Sequence, residues 1–333
     1  MEKHYTPQTL QEAVIHFANH ENCHTFMVNL RWPDGTIQCP RCGSVNVKYL
    51  PNAKVFKCFE KHESVKFSLK SGTIFEDSPL GLNKWLPVVW LIVNCKNGIS
   101  SYEVGRAIKV TQKTAWFMLQ RVRLAMQDSE SGGSLAGEIE IDETFIGGKV
   151  RNMHKHSKRR IQAFADGNYG KTIVLGMLDR NKGKVRATVI ADRKADTMRS
   201  EIMGNVDRGS TIYSDEFANV YRMDERYVHQ TVNHLNTYVN GNVHTQGIEN
   251  FWSLLKRGLT GTYVSVEPFH LFRYVDEQAF RFNNRKTGLG KPMTDGERFE
   301  IAMRQIVGRR LTYKELTGKA NLSEGQTEAT TEA

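Results

Sequence analysis

Three carboxylates define the chemistry open to this chain. Asp142 lies in Gly137-Glu-Ile-Glu-Ile-Asp-Glu-Thr-Phe-Ile-Gly-Gly148, where apolar and polar residues alternate as in a half-buried strand. Asp215 closes Ser210-Thr-Ile-Tyr-Ser-Asp215, a short apolar run after a helix-like stretch. Glu249 opens Glu249-Asn-Phe-Trp-Ser-Leu-Leu-Lys256. Two strand-end aspartates and a helix-borne glutamate form the oxygen donor set of a two-metal phosphoryl-transfer site. Hard divalent cations, Mg²⁺ or Mn²⁺, take carboxylate oxygen, and a pair about 3.5–4 Å apart clamps attacking and leaving oxygens. One acid alone says little, since most are solvated. The ordered set carries the inference.

Other side chains compete for these roles. Glu140 shares the Asp142 side of the strand and Glu143 does not. Glu140, Glu143, Glu216, Asp276 and Glu277 read as solvated or supporting acids. Lys256 follows Glu249 by seven positions, two turns along one helix face, and can steady a phosphate beside the metals. His244 suits either an orienting or a structural role. Trp252 reads as core rather than as a platform for a base. The run Lys149-Val-Arg-Asn-Met-His-Lys-His-Ser-Lys-Arg-Arg160 is a charge cluster of the kind that grips backbone phosphates, through Lys155, Lys158, Arg159 and Arg160.

The elements that must position these groups follow from periodicity. Strands are expected over 138–146, 171–179, 184–192, 210–215 and near 227–232. Helices are expected over 195–206, near 217–223 and from about 244 to 257. Three leading strands, a helix, another strand and late helices make an α/β sheet domain over 138–290. In the corresponding order the first and fourth strands are neighbours, which would bring Asp142 and Asp215 to the same ions.

Upstream, Cys39-Pro-Arg-Cys42-Gly43 makes a tight knuckle with two thiolates aimed at one ion, and Cys58 and His62 follow after 15 residues. That is the spacing of a structural zinc ribbon over 36–80, with four ligands and no open position. His62 is the softer assignment, with His24 and Cys23 as substitutes. Cys95 reads as core inside an apolar helix. Residues 1–35 form a helical segment around Thr9–Ala18, with Leu10, Ala13, Val14, Phe17 and Ala18 at helix spacing. Over 81–127, helices Lys84–Asn94, Ser101–Ile108 (capped by Ser100) and Gln112–Met126 are expected. The short joint between the last two gives helix-turn-helix spacing. Gln112, Lys113 and Thr114 would then meet DNA, with Ala115, Met118, Leu119 and Val122 buried. Residues 128–137 read as a linker, 291–317 as a C-terminal helical segment and 318–333 as a disordered tail.

Bulk properties agree. The 333 residues suffice for two or three domains, and the net charge of +10 with a pI of about 9.3 favours a polyanionic partner. The start Met1-Glu-Lys-His-Tyr lacks a signal-peptide core, and Trp85–Val93 is too short to span a bilayer. Five cysteines with one Cys-x-x-Cys do not make a secreted disulfide framework. The expectation is a cytoplasmic protein, nucleoid-associated when on DNA, with no membrane partner.

Over most of residues 5–290 the chain resembles the ISXO-like insertion-sequence transposases. The first half carries the likeness at Arg31-Trp-Pro-Asp-Gly35, Cys39-Pro-Arg-Cys42-Gly43, Ser71-Gly-Thr-Ile-Phe-Glu-Asp-Ser78 and Thr111-Gln-Lys-Thr-Ala-Trp-Phe-Met-Leu119. The second half carries it at Ile141–Gly148, Tyr213-Ser-Asp-Glu216, His244-Thr-Gln-Gly-Ile-Glu249, Asn250–Gly258 and Tyr274–Phe280. The resemblance implies a ribonuclease-H-like DDE transposase/integrase fold and cut-and-join chemistry on element ends and target, both double-stranded DNA, by a homo-oligomer. It implies Asp142, Asp215 and Glu249 as the acids and Lys256 as the associated basic residue. The 33 residues between Asp215 and Glu249 are a spacing common in such enzymes. The Cys58-x-x-x-His62 half of the ribbon resembles a family variant. Two other functions compete with an active transposase: a transposase-derived DNA-binding protein without catalysis, and a nuclease that cuts without joining.

Overall fold

The computed structural model describes residues 5–127, 133–147, 171–215, 227–232 and 245–318, with no side-chain account of 215, 231 and 232. It divides into two compact units, one from residues 1–126 with 293–333 and the other Gln127–Pro292.

The first unit opens with α1 (Leu10–Ala18), capped by the Thr9 hydroxyl, and α2 (His20–Arg31), capped by Asn19. The sequence reading saw only the first of these. Ala13 and Phe17 are buried as the spacing requires, whereas Leu10 and Val14 are exposed, so the apolar face is narrower than expected. A three-stranded sheet follows, β1 (Val47–Leu50), β2 (Val55–Cys58) and β3 (Lys66–Phe67), in that order and antiparallel. Then come α3 (Leu82–Asn94), α4 (Ser101–Ile108) and α5 (Gln112–Met126). Cys95 stands at the C-cap of α3, half-buried, and not inside the helix as expected.

A full capping box holds α4: the Ser100 hydroxyl accepts from Glu103 N–H and the Glu103 carboxylate accepts from Ser100 N–H. Lys109 in the left-handed region (φ 53°) ends it, and Val110 N–H donates to Gly105 O at 3.0 Å. A Cβ at Gly105 would stand 3.1 Å from the Val110 carbonyl oxygen, so the tight joint into α5 favours glycine there. Residues after 292 return to this unit. Capped by Thr294, α9 (Asp295–Arg304) places Phe299 against Phe17, Phe26 and Trp90 in one buried aromatic cluster, and α10 (Tyr313–Leu316) closes the described chain.

The second unit is built on five strands: β4 (Glu138–Ile146), β5 (Thr172–Asp179), β6 (Lys184–Ile190), β7 (Thr211–Asp215) and β8 (Val228–Val232). Among the described residues the order is β6-β5-β4-β7-β8, with β4–β5 and β5–β6 antiparallel and β4–β7 and β7–β8 parallel. The first and fourth strands are therefore neighbours, as the element order led us to expect. β6 stops at Ile190, two residues early, where Asp192 turns the chain by accepting from Lys194 N–H and the Thr197 hydroxyl.

Period-2 alternation gives the sheet two apolar faces. Ile139, Ile141, Ile173, Leu175 and Met177 meet α6 (Ala195–Asn205) through Met198 and Ile202. Val174, Leu178 and Val185 meet α7 (Gln246–Gly258) through Ile248, Phe251, Trp252 and Leu255, together with α8 (Leu271–Asn283). The Asn283 side chain bonds both Val185 N–H (2.7 Å) and Val185 O (2.9 Å), covering part of the edge that β6 would otherwise expose. Glu277 on α8 is fully buried and bonded by Tyr263 and Arg281, which removes the solvated one of the two readings the sequence left open for it. The helix expected near 217–223, the basic run with Lys155, Lys158, Arg159 and Arg160, His244, Glu216 and the tail from 319 lie outside the described residues.

Candidate active site

Asp142 sits mid-strand on β4, on the α7 side of the sheet, half-buried. Its two oxygens have different partners: Oδ1 accepts from Glu143 N–H at 2.9 Å and Oδ2 from the Trp252 indole N–H at 2.9 Å. The parallel pairing of β4 with β7 runs through Glu140↔Tyr213. The pairing ends there, and two positions further along each of these neighbouring strands stand Asp142 and Asp215. Only the backbone of Asp215 is described.

Glu249 lies in the first turn of α7 and Lys256 in its last, both exposed and on the helix face that carries Trp252 between them. The Thr245 hydroxyl, buried just before the helix, donates to Glu249 Oε1 at 3.0 Å. Thus α7 is tied to β4 through Trp252 while presenting Glu249 and Lys256 to solvent.

Two glycines permit that approach. Gly176 pairs with Asp142 across β4–β5, and a Cβ there would lie 2.5 Å from Trp252 Cζ2 and 2.8 Å from Ile248 Cδ1. A Cβ at Gly247 would lie 2.9 Å from Glu140 Oε2. Glu140 is only 1% exposed, and the sequence reading missed its part. Its Oε2 accepts from Ile248 N–H at 2.8 Å and its Oε1 from Arg180 Nε at 2.8 Å. A carboxylate on the sheet thereby satisfies one of the open donors at the start of α7 and favours the positive end of that helix. Arg180 in turn lies 3.9 Å from the Tyr213 ring centroid. Burial first, and the neighbouring Glu138 carboxylate next, push the Tyr213 hydroxyl pKa above its ordinary value. Glu138, Glu140, Arg180, Gly247 and Asn250 border an open cleft beside the helix start. Glu143, on the opposite face, pairs with Arg193 instead, as its strand position requires. Trp252 is core, 4% exposed, yet its one polar atom is spent on Asp142. No local spacing announces that bond.

In the first unit, Cys39, Cys42, Cys58 and His62 bring their ligand atoms within 4.8 Å of one another. Cys39 Sγ lies 3.6 Å from His62 Nε2, and Cys42 Sγ lies 3.6 Å from Cys58 Sγ. A tetrahedral zinc with Zn–S bonds of about 2.3 Å requires S···S edges of about 3.8 Å, so the donor set and its spacing fit that ion. Gly43 (φ 74°) closes the knuckle, its N–H donating to Cys39 O at 2.9 Å. His62 Nδ1 stands 2.7 Å from Glu63 O, which leaves Nε2 facing the thiols. Burial pushes the Cys39 thiol up, but N–H groups of Arg41 and Cys42 and the neighbouring thiols outweigh it and hold it at about 7. The substitutes fall away: Cys23 is buried in α2 with its thiol raised to about 11, chiefly by burial, and His24 rests against Tyr49 and Phe56.

At the start of α5, Gln112 and Lys113 are exposed and Thr114 is half-buried, while Ala115, Met118, Leu119 and Val122 are buried. Gln112 Nε2 donates to Ser101 Oγ at 2.9 Å, and Lys113 Nζ lies 4.9 Å from the Tyr313 ring centroid. No helix of the described residues is long and apolar enough to cross a membrane.

A zinc-ribbon knuckle and helical region in one unit, and a mixed five-stranded sheet bearing acids in the other, define the class as an α/β protein. Residues 134–283 match the ISXO2-like transposase domain and residues 18–60 the transposase zinc-ribbon domain, so over those segments the chain is similar to the ISXO2-like transposases. The ribbon match ends before His62, whose assignment rests on its position beside Cys39. The chain is also similar to an "Uncharacterized protein in transposable element ISH50" of Halobacterium salinarum. The two are 26% identical over 253 residues, covering 73% of this chain and 84% of that protein.

Proposed function

We propose that the protein is a DDE-type DNA transposase that binds the ends of its insertion sequence and performs metal-dependent strand cleavage and strand transfer into target DNA. One observation carries the proposal: the strands bearing Asp142 and Asp215 are adjacent and parallel, each aspartate two residues beyond the Glu140↔Tyr213 pair, and the helix bearing Glu249 is bonded to Asp142 through Trp252. The strand order supports a ribonuclease-H-like arrangement for this domain. Asp142, Asp215 and Glu249 would hold two Mg²⁺ or Mn²⁺ ions, their oxygen donors and the partial exposure of Asp142 and Glu249 suiting hard cations. When bound, such a pair activates a water and offsets charge on attacking and leaving oxygens.

The chain's own groups have separate tasks. Asp142 enters the site with its carboxylate plane already fixed by Glu143 N–H and Trp252. The Thr245 hydroxyl does the same for Glu249. Lys256 offers an ammonium to a phosphate flanking the scissile bond. The transferred group passes between oxygens, so no covalent enzyme intermediate and no nucleophilic side chain are needed. A structural zinc on Cys39, Cys42, Cys58 and His62 would hold the ribbon. Gln112, Lys113 and Thr114 would contact bases, and Lys155, Lys158, Arg159 and Arg160 phosphates, in a homo-oligomer on cytoplasmic DNA. The test combines purified protein, Mg²⁺ and DNA from the element's ends. Cleavage followed by joining is expected, and Asp142→Ala should remove both while leaving binding intact. Continued cutting by that variant would refute the site.

A further inference from the structure

The geometry points to Trp252 as a positioning residue for Asp142, with Gly176 as the residue that admits it. This rests on the proposed metal-dependent reading of the Asp142 site. The indole N–H donates to Asp142 Oδ2 at 2.9 Å, and Glu143 N–H donates to Oδ1 at 2.9 Å. With a donor on each oxygen, the carboxylate is fixed in plane before any cation arrives.

The donor comes from a rigid body. Trp252 is 4% exposed, and its ring is held among Ile248, Phe251 and Leu255 against the sheet. The space it fills exists because position 176, opposite Asp142 in register, carries no side chain: a Cβ there would lie 2.5 and 2.7 Å from Trp252 Cζ2 and Cη2. A buried indole N–H requires an acceptor, so the same contact satisfies the tryptophan and aims the aspartate. It also ties the helix that bears Glu249 and Lys256 to the strand that bears Asp142. Partners that orient a metal-binding group set its affinity for the ion.

Trp252→Phe keeps an aromatic ring in the core and removes only the donor and the outer ring. In the full-length protein, the Mg²⁺ concentration giving half-maximal strand cleavage should rise on the order of 10-fold. Mn²⁺ binding without DNA, followed by loss of the free-ion electron paramagnetic resonance signal, should weaken to match. Gly176→Ala combined with Trp252→Phe refills the vacated volume with a methyl group. It serves as the second variant, expected to show the same metal dependence with core packing restored. Wild-type Mn²⁺ binding and Mg²⁺ dependence in either folded variant would overturn the positioning role while leaving the Asp142 site standing. Mn²⁺ binding that Asp142→Ala leaves unchanged would overturn the site itself and the positioning role with it.

Discussion

Glu140 has almost no contact with water, and its two oxygens accept from Arg180 Nε and from the Ile248 N–H. Truncation to Ala would take the Nε acceptor from a largely buried guanidinium and leave a helix donor open. Breaking a buried pair in this way costs about 3 kcal/mol or more, whereas Gln keeps an acceptor and should cost less. Equilibrium denaturation of Glu140→Ala and Glu140→Gln checks this, and a change under about 0.5 kcal/mol in the Ala variant would contradict the clamp. The candidate acids were nameable from the sequence; the partners of Glu140 were not. Asp142 and Glu249 stand out by residue type within patterned segments, although Asp142 lies mid-strand and not at the strand end expected, because β4 runs on to Ile146 in its pairing with β5. Glu140 takes its partners from positions 180 and 248, which no local periodicity connects to it. The Trp252–Asp142 bond was hidden for the same reason, since a tryptophan at a helix core position looks alike whether or not its N–H has a task.

At the scale of elements, local signals did well where they were self-contained. Ser100 and Glu103 lie three residues apart and announced the start of α4, and the 2-residue alternation in 138–146 gave β4 its full span. They failed where the signal was weak or the partner distant. The split of the N-terminal helical segment at Asn19 lacks any Gly or Pro, and α9 reveals its place only through Phe299 meeting Phe17 and Phe26. The ribbon is an element whose stability the sequence also foretells. Its strands span four, four and two residues, too few to bury a core without a cross-link. One zinc per chain is therefore expected by elemental analysis. Cys39→Ser or His62→Ala should lose it, and a strong chelator should expose the ribbon to protease. Full zinc content in His62→Ala would contradict the four-ligand assignment.

Taken whole, the molecule would on the proposed function carry two kinds of metal chemistry, one in each compact unit. Sulfur and imidazole in the first suit a closed structural ion. Carboxylates on strand and helix in the second suit exchangeable hard cations. The excess of positive charge, +10 over 333 residues, belongs with a polyanion as the common partner. Mixed strand order explains how the strands bearing Asp142 and Asp215, 73 positions apart, come to lie side by side: the parallel β4–β7 pairing skips the whole antiparallel meander between them. Anomalous diffraction from crystals grown with Mn²⁺ tests this most directly. The account predicts manganese peaks bounded by Asp142, Asp215 and Glu249, absent from Asp142→Ala crystals. Manganese bound elsewhere on the second unit, with those three side chains unliganded, would contradict it.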